Sequence, residues 1–434
     1  MPRITAYRAA VLSFDREDRL RLWPDGALAV GPDGFLAYAG PASRARAKGW
    51  RWLDRRGCVA LPGLIDAHCH LPQYPAVGAD GLTLLPWLER HIFPLERAFR
   101  GPRARALARR FFSDLAASGT TTACVFTSVW RDSTELCFEE ALRSGLRVAM
   151  GKVMMDRGSY DTAFRGGPAR RLELSLRESD ELCRRWHRRD GGRLLYAFTP
   201  RFAVSCSMEL MRGAADLARR RGAYLQTHLA ENREELRVVA RAFRGSPDYT
   251  SVYERAGLLG SRTILAHGVW LSRAEARTLA RRRCTVAHCP TSNAFLSSGV
   301  MDAARLRASG VNLALGSDVA AGPTLDLFEV MRQAVYLQRA ARAHGLFEGE
   351  PEASPEKAFH MATVGGARAL GLEDRIGTLE AGKEADFILV RRAAIDPPSA
   401  PEAGALALAG RLVYRGGPGC VRETFVRGRS VWSA

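Results

Sequence analysis

The sequence predicts an α/β protein: a (β/α)8 TIM-like barrel with a small β-sandwich built from both termini. Three observations carry that expectation. Between about residues 60 and 375, eight short apolar segments alternate with longer amphipathic ones. Strands joined through helices of that length pair in parallel, and eight of them close a barrel. The two ends of the chain instead show short strand-like runs cut by turn residues. At 434 residues, the chain has room for one barrel of roughly 250–300 residues and a smaller unit beside it.

The elements follow in chain order. In WPDGALAVGPDGFLAYAG, Pro-Asp-Gly occurs twice, and both copies are expected as turns between strands. The eight barrel strands are expected in GLIDAHCH, TTACVFT, RVAMGKV, LLYAFTP, AYLQTHLAE, TILAHGV, TVAHCP and LALGSDV. Between them, segments such as GPRARALARRFFSDLAASG and CSMELMRGAADLARRRG space their apolar residues as one face of a helix. Beyond the barrel, IGTLEAGKEADFILVRR, RLVYRGGPG and CVRETFVRGRSVWSA return to the strand-and-turn style of the N-terminus. The expected division is therefore 1–61 with 376–434 as one small discontinuous β-domain, and 62–375 as the barrel. Two separate terminal β-units are the alternative.

Composition narrows the function classes. Apolar content of 47% with 25% charged residues is ordinary for a globular protein. The formal charge of +18 invites a nucleic-acid reading, but Lys48, Lys152, Lys357 and Lys383 are the only lysines. The arginines spread along the chain on helix-like segments, as solvated helix faces would, and no helix-turn-helix, zinc-finger or RNA-binding signature accompanies them. No specific nucleic-acid partner is expected, although the charge can help collect anionic small molecules. No apolar run reaches the ~18 residues of a membrane span, so no membrane partner is expected. No leader-like segment opens the chain, which points to the cytoplasm. Nine cysteines without CxxC pairs are expected as buried, reduced thiols.

The chemistry concentrates at strand ends. Histidine is scarce, nine in the whole chain, yet His68 and His70 fall one residue apart at the end of strand one. His228 and Glu231 end strand five, His267 ends strand six, and Asp318 ends strand eight. All six lie at C-terminal strand ends, the face where barrel enzymes build their sites, and closure makes strands one and eight neighbours. Taken singly, a strand-end histidine is more often a hydrogen-bonded packing residue than a ligand. Taken together, His68, His70, His228 and Asp318 form a mixed N/O set suited to one zinc ion, with iron the second choice. The i, i+2 spacing sends both strand-one imidazoles to one face. Such a metal makes hydroxide available at neutral pH, and Glu231, not needed as a ligand, is the natural proton shuttle. Asp318 can also accept a hydrogen bond from the water, and His267 can orient that water or stabilise developing charge. The plainer alternative for Glu231 is a helix-start residue in AENREEL.

The pattern HxH, HxxE, a strand-six histidine and a strand-eight aspartate resembles the amidohydrolase superfamily, in its single-metal nucleobase branch. Two-metal members carry a carboxylated lysine at the end of strand four; TPRF stands there instead, which favours one metal. Within that branch, LPQYPAVGADGLTLLPWLERHIFPLERAF, TPRFAVSCS, THLAENREEL, AHCPTSN and GSDVAAG are similar to the guanine deaminases, in the same order. That resemblance implies a distorted barrel with a small β-sandwich, one metal per subunit, a homodimer and a purine base as substrate. It implies attack of metal-bound hydroxide on C2 of guanine, with Glu231 moving protons, to give xanthine and ammonia. It also implies that Gln73, Arg201 and Phe202 face the purine, with Trp87 a further lining residue. Chemically this is sensible: a flat heterocycle wants an aromatic face, the Gln73 amide can both donate and accept at O6 and N1, and Arg201 can hold a carbonyl oxygen. Arg201 as a rim ion-pair partner and Phe202 as plain core are the alternatives. The nearest rival function is a related aminohydrolase acting on 8-oxoguanine, an s-triazine or a pyrimidine. A barrel without catalysis is disfavoured by the presence of all four ligands and Glu231. The HxE…PCxxC signature of nucleic-acid deaminases is absent.

Overall fold

The computed structural model describes residues 4–45, 49–160, 167–349 and 353–434, so parts of both expected units (1–3, 46–48, 161–166 and 350–352) lie outside the described residues. All eight expected barrel segments form strands, here numbered one to eight: Leu64–His70, Thr120–Phe126, Arg147–Gly151, Leu194–Pro200, Tyr224–Leu229, Thr263–His267, Thr285–His288 and Asn312–Leu315. Each pairs in parallel with the next in chain order. Both faces of these strands are covered, so they read as apolar runs rather than alternations; TTTACVF is buried at every position. The interior takes small side chains (Ala67, Cys124, Ala149, Ala197, Ala287 and Ala314), because an eight-stranded barrel is a packed core and not a pore.

Closure between strands eight and one uses individual bonds. The Asp318 amide donates to the His68 carbonyl at 2.9 Å, and Asp66 accepts from the Ser317 amide at 3.0 Å and the Ser317 hydroxyl at 2.5 Å. Gly316 permits the approach: a Cβ there would lie 2.8 Å from the His68 Cβ. Outside the barrel, helices bury one stripe each. In Gly101–Ala117 the buried residues include Ala104, Ala108, Phe111 and Leu115, while Arg103, Arg109 and Arg110 are exposed. Solvated helix faces thus account for part of the arginine content.

Both chain ends build one seven-stranded sheet, in the order Arg429–Ser433, Val421–Val426, Phe387–Arg391, Arg51–Pro62, Thr5–Phe14, Leu20–Val30 and Leu36–Pro41. A C-terminal strand, Phe387–Arg391, pairs with the N-terminal strand Arg51–Pro62, so the alternative of two independent units does not hold. The period of two is visible in Thr5–Phe14: Tyr7, Ala9 and Val11 pack on one face, Ala10, Leu12 and Phe14 on the other, against the barrel's outer core.

Two local expectations are corrected. The first Pro-Asp-Gly is no turn; it lies inside Leu20–Val30, where the register shifts by a bulge between Ala9 and Val11. Only the second, Pro32-Asp33-Gly34, reverses the chain, closed by Gly31 donating to the Phe35 carbonyl at 2.8 Å. RLVYR is not a strand but the end of the helix Ala405–Arg415. Leu408, Ala409, Leu412 and Val413 recur at helical spacing and are its buried stripe, and this outweighs the strand preference of β-branched Val413 and aromatic Tyr414.

Candidate active site

The barrel mouth gathers its side chains by different backbone routes. On strand one, Cys69 packs into the barrel wall with its thiol toward the Cys124 carbonyl, as alternation expects, and His68 and His70 converge at the mouth. His228 continues the inward parity of Tyr224 on strand five. His267 breaks that rule: Ile264 is interior and Leu265 is wall, so position 267 has wall parity. A left-handed φ of 75° turns its ring into the cavity. Asp318 (φ 48°) and Ala230 (φ 50°), just before Glu231, are left-handed too. Such backbone costs on the order of 1–3 kcal/mol per residue, and it collects here at one cavity.

Four ligand atoms, from His68, His70, His228 and Asp318, lie within 4.8 Å of one another, all on buried residues. His70 Nε2 is 3.2 Å from His68 Nε2, 3.1 Å from His228 Nε2 and 3.3 Å from Asp318 Oδ1. His68 Nε2 is 3.1 Å from the same carboxylate oxygen. Ligands ~2.0–2.1 Å from a tetrahedral ion stand about 3.3 Å apart, so the set fits a metal. His228 Nδ1–H donates to the Arg201 carbonyl at 2.7 Å, which leaves a lone pair on Nε2 facing His70. Burial lowers His70 to about 4 and holds His68 and His228 below their usual value, so all three imidazoles are neutral donors. The His228 lone pair and the Asp318 carboxylate thus converge with the two strand-one imidazoles, as ligands of one cation do.

Glu231 stands beside this cluster. Its Oε2 is 3.3 Å from His267 Nε2, not aligned for a hydrogen bond, and its Oε1 accepts from the Ser298 hydroxyl at 3.1 Å. Burial, then the Asp318 charge, pushes the Glu231 carboxyl up to about 8. Its backbone is fixed by the helix Arg233–Ala242: buried Glu235 accepts from the amides of Glu231 and Asn232 at 2.8 and 3.2 Å. Glu231 therefore does stand at a helix start, as the plainer reading had it, while its side chain faces the cavity. His267 Nδ1 meets Asn293 Oδ1 at 3.0 Å, which sets the ring's orientation.

The cavity is lined by His70, His228, Glu231, His267 and Asp318. Gln73, Trp87, Arg201 and Phe202 line its other side. Trp87 is also a packing residue, its indole donating to the Ala79 carbonyl at 2.7 Å. Arg201 is also an ion-pair partner, not at the rim but buried, donating to Glu96 Oε2 at 2.6 Å.

Residues 59–431 match the amidohydrolase family. A probable guanine deaminase of Deinococcus radiodurans is 38% identical over 398 residues, covering 89% of this chain and 88% of that relative. This chain belongs to the amidohydrolases, in their guanine deaminase branch. The guanine deaminase of Bradyrhizobium japonicum superposes with a TM-score of 0.92 at 31% identity, over the whole of both chains. That of C. acetobutylicum, solved with guanine in its active site, gives 0.89 at 28%, over 99% of this chain and 100% of that one.

In this amidohydrolase the structure gathers every site residue named from sequence: His68 within the ligand cluster, the others along the cavity. Four supporting residues were not foreseen. Asp66 ties strand one to Ser317, Asn293 orients His267, Ser298 donates to Glu231, and Glu96 holds both Gln73 and Arg201. Asp66 and Glu96 did leave a signal, each a lone acid within an apolar run, since a buried charge must find partners. His288, the last residue of strand seven, lies outside the ligand set, and both its ring nitrogens lack a hydrogen-bond partner among the described residues.

Proposed function

We propose that this chain converts guanine and water to xanthine and ammonia, with His68, His70, His228 and Asp318 holding one zinc ion per subunit. The observation that carries this reading is a set of three neutral imidazoles and one carboxylate, one further carboxyl outside it and a polar pair for a heterocycle, gathered at one cavity. Hard and borderline donors in that ratio favour zinc, with iron second. A divalent ion held by these residues would lower the pKa of water toward ~7 and so supply a nucleophile at neutral pH.

The chain's own residues do the rest. Gln73 and Arg201 hold the O6/N1 edge of the base, and Phe202 and Trp87 give it apolar walls and exclude water. Glu231, poised near neutrality, accepts a proton from the attacking water and delivers it to ring N3 as oxygen bonds to C2. It then takes the remaining hydroxyl proton and passes it to the amino group, which leaves as ammonia as the C2 carbonyl forms. His267, oriented through Asn293, steadies the attacking oxygen. The homology to guanine deaminases also supports a homodimeric, cytoplasmic enzyme, with the terminal segments 1–61 and 376–434 acting as a domain distinct from 62–375.

The test follows ultraviolet change and ammonia release with guanine, 8-oxoguanine, adenine, cytosine and an s-triazine side by side. Guanine is expected to turn over best. Failure with guanine beside turnover of another base would refute the substrate and keep the chemistry.

A further inference from the structure

We propose that Glu96 is a positioning residue for substrate choice: it fixes the Gln73 amide with its carbonyl toward the base, so that the cavity accepts a lactam edge and rejects an amidine edge. The proposal rests on the guanine deaminase reading above and adds to it the device that orients the specificity pair.

Glu96 is fully buried, on the short helix Phe93–Ala98, and each of its oxygens is engaged. Oε1 accepts from Gln73 Nε2 at 2.9 Å and Oε2 from Arg201 NH1 at 2.6 Å. One turn earlier on the same face, the Phe93 ring lies 5.2 Å from the Arg201 guanidinium carbon. One carboxylate thereby ties together three segments: the turn Leu71–Ala76, the helix Phe93–Ala98 and the end of strand four. Burial disfavours the Arg201 charge, and the charge of Glu96 more than offsets this.

The chemistry of the contact removes an ambiguity. A side-chain amide can sit either way round, but an ionised carboxylate only accepts, so the atom of Gln73 that faces Glu96 is its nitrogen. The carbonyl oxygen is left as the group to meet the base, and Arg201 has only donors. Acceptor and donor side by side complement N1–H and O6 of guanine. In 2,6-diaminopurine the pattern is reversed: N1 carries a lone pair and C6 an amino group. That base has the same 2-amino group at the reacting carbon, so discrimination between the two reads the edge and not the chemistry. The Gln73 amide, free on its own to donate or accept, thereby becomes directional.

Steady-state rates with guanine and 2,6-diaminopurine test this in the wild type, Glu96→Gln and Glu96→Asp. The wild type is expected to prefer guanine by a kcat/KM ratio of at least about 10², as polar mismatches in a buried site do. In Glu96→Gln, whose amide both donates and accepts, Gln73 can turn; the ratio should fall about tenfold or more, mainly through a higher KM for guanine. Glu96→Asp keeps a pure acceptor and should retain more of the preference than the Gln variant. Metal content and near-ultraviolet circular dichroism monitor folding, which a merely structural role would disturb without moving the ratio. A wild type that handles both bases equally well overturns the proposal even if no variant folds. So does a folded Glu96→Gln with an unchanged ratio. A wild type inert toward guanine instead refutes the underlying reading.

Discussion

At the scale of single residues, the decisive contrast is between four atoms that can share an ion and one carboxyl that cannot. Glu231 stands beside the ligand cluster, with its own hydrogen bond to Ser298 and no place in the ligand set. Glu231→Gln keeps size and the Ser298 contact and removes the acid–base group. Turnover should drop by about 10²–10⁴-fold while metal stoichiometry stays as in the wild type. Rate assays paired with metal analysis check this, and a rate within a few-fold of the wild type would take Glu231 out of the mechanism. The ligands and this glutamate were legible in sequence because strand ends in a barrel converge whatever lies between them. What could not be read was how His267 enters the cavity, since its wall parity is reversed by a left-handed backbone that no side-chain pattern records.

At the scale of elements, strand one and the segment after strand eight are held by a buried acid. Asp66 accepts from the His68 amide at 3.2 Å on its own strand and from Ser317 across the closure. Burial pushes this carboxyl up to about 6, against the Ser317 bonds that favour its charge. It fixes the backbone of two ligand-bearing segments without touching a ligand atom. Ser317→Ala should therefore weaken metal binding by roughly 10-fold or more, as loss of outer support does, and leave the ligands themselves intact. Competition with a chelator measures it; unchanged affinity would reduce Asp66 to a barrel staple. The eight strands were readable from apolar runs and spacing. The helix at RLVYR and the bulge at the first Pro-Asp-Gly were not, because tertiary burial at Leu412 and close packing at Gly26 decided them.

At the scale of the whole molecule, the barrel and the terminal sheet are joined by a buried charge network around Arg147, the first residue of strand three. Arg147 donates to Glu384 at 2.5 Å and to Asp386 at 3.0 Å, and Arg427 adds a 2.8 Å contact to Glu384. Sequence placed both termini in one unit from their shared style, but not this joint, whose charges lie more than two hundred residues apart. Burial alone would raise Glu384; Arg147 and Arg427 offset that and lower its carboxyl from 4.5 to about 2. The folded state thus binds the proton more weakly than the unfolded chain. The stabilisation is complete above the unfolded value and is lost as pH falls from about 4.5 toward about 2. Arg147→Gln removes the ion pair of buried Asp386 and leaves Glu384 to Arg427 and Arg375, and should cost roughly 3–5 kcal/mol near neutrality. Because acid protonates Glu384, the gap between wild type and variant should narrow as pH falls through that window. Urea melts of both proteins across the window decide it: convergence supports a joint held by charge, and parallel stability curves would mean that apolar packing alone binds the sheet to the barrel.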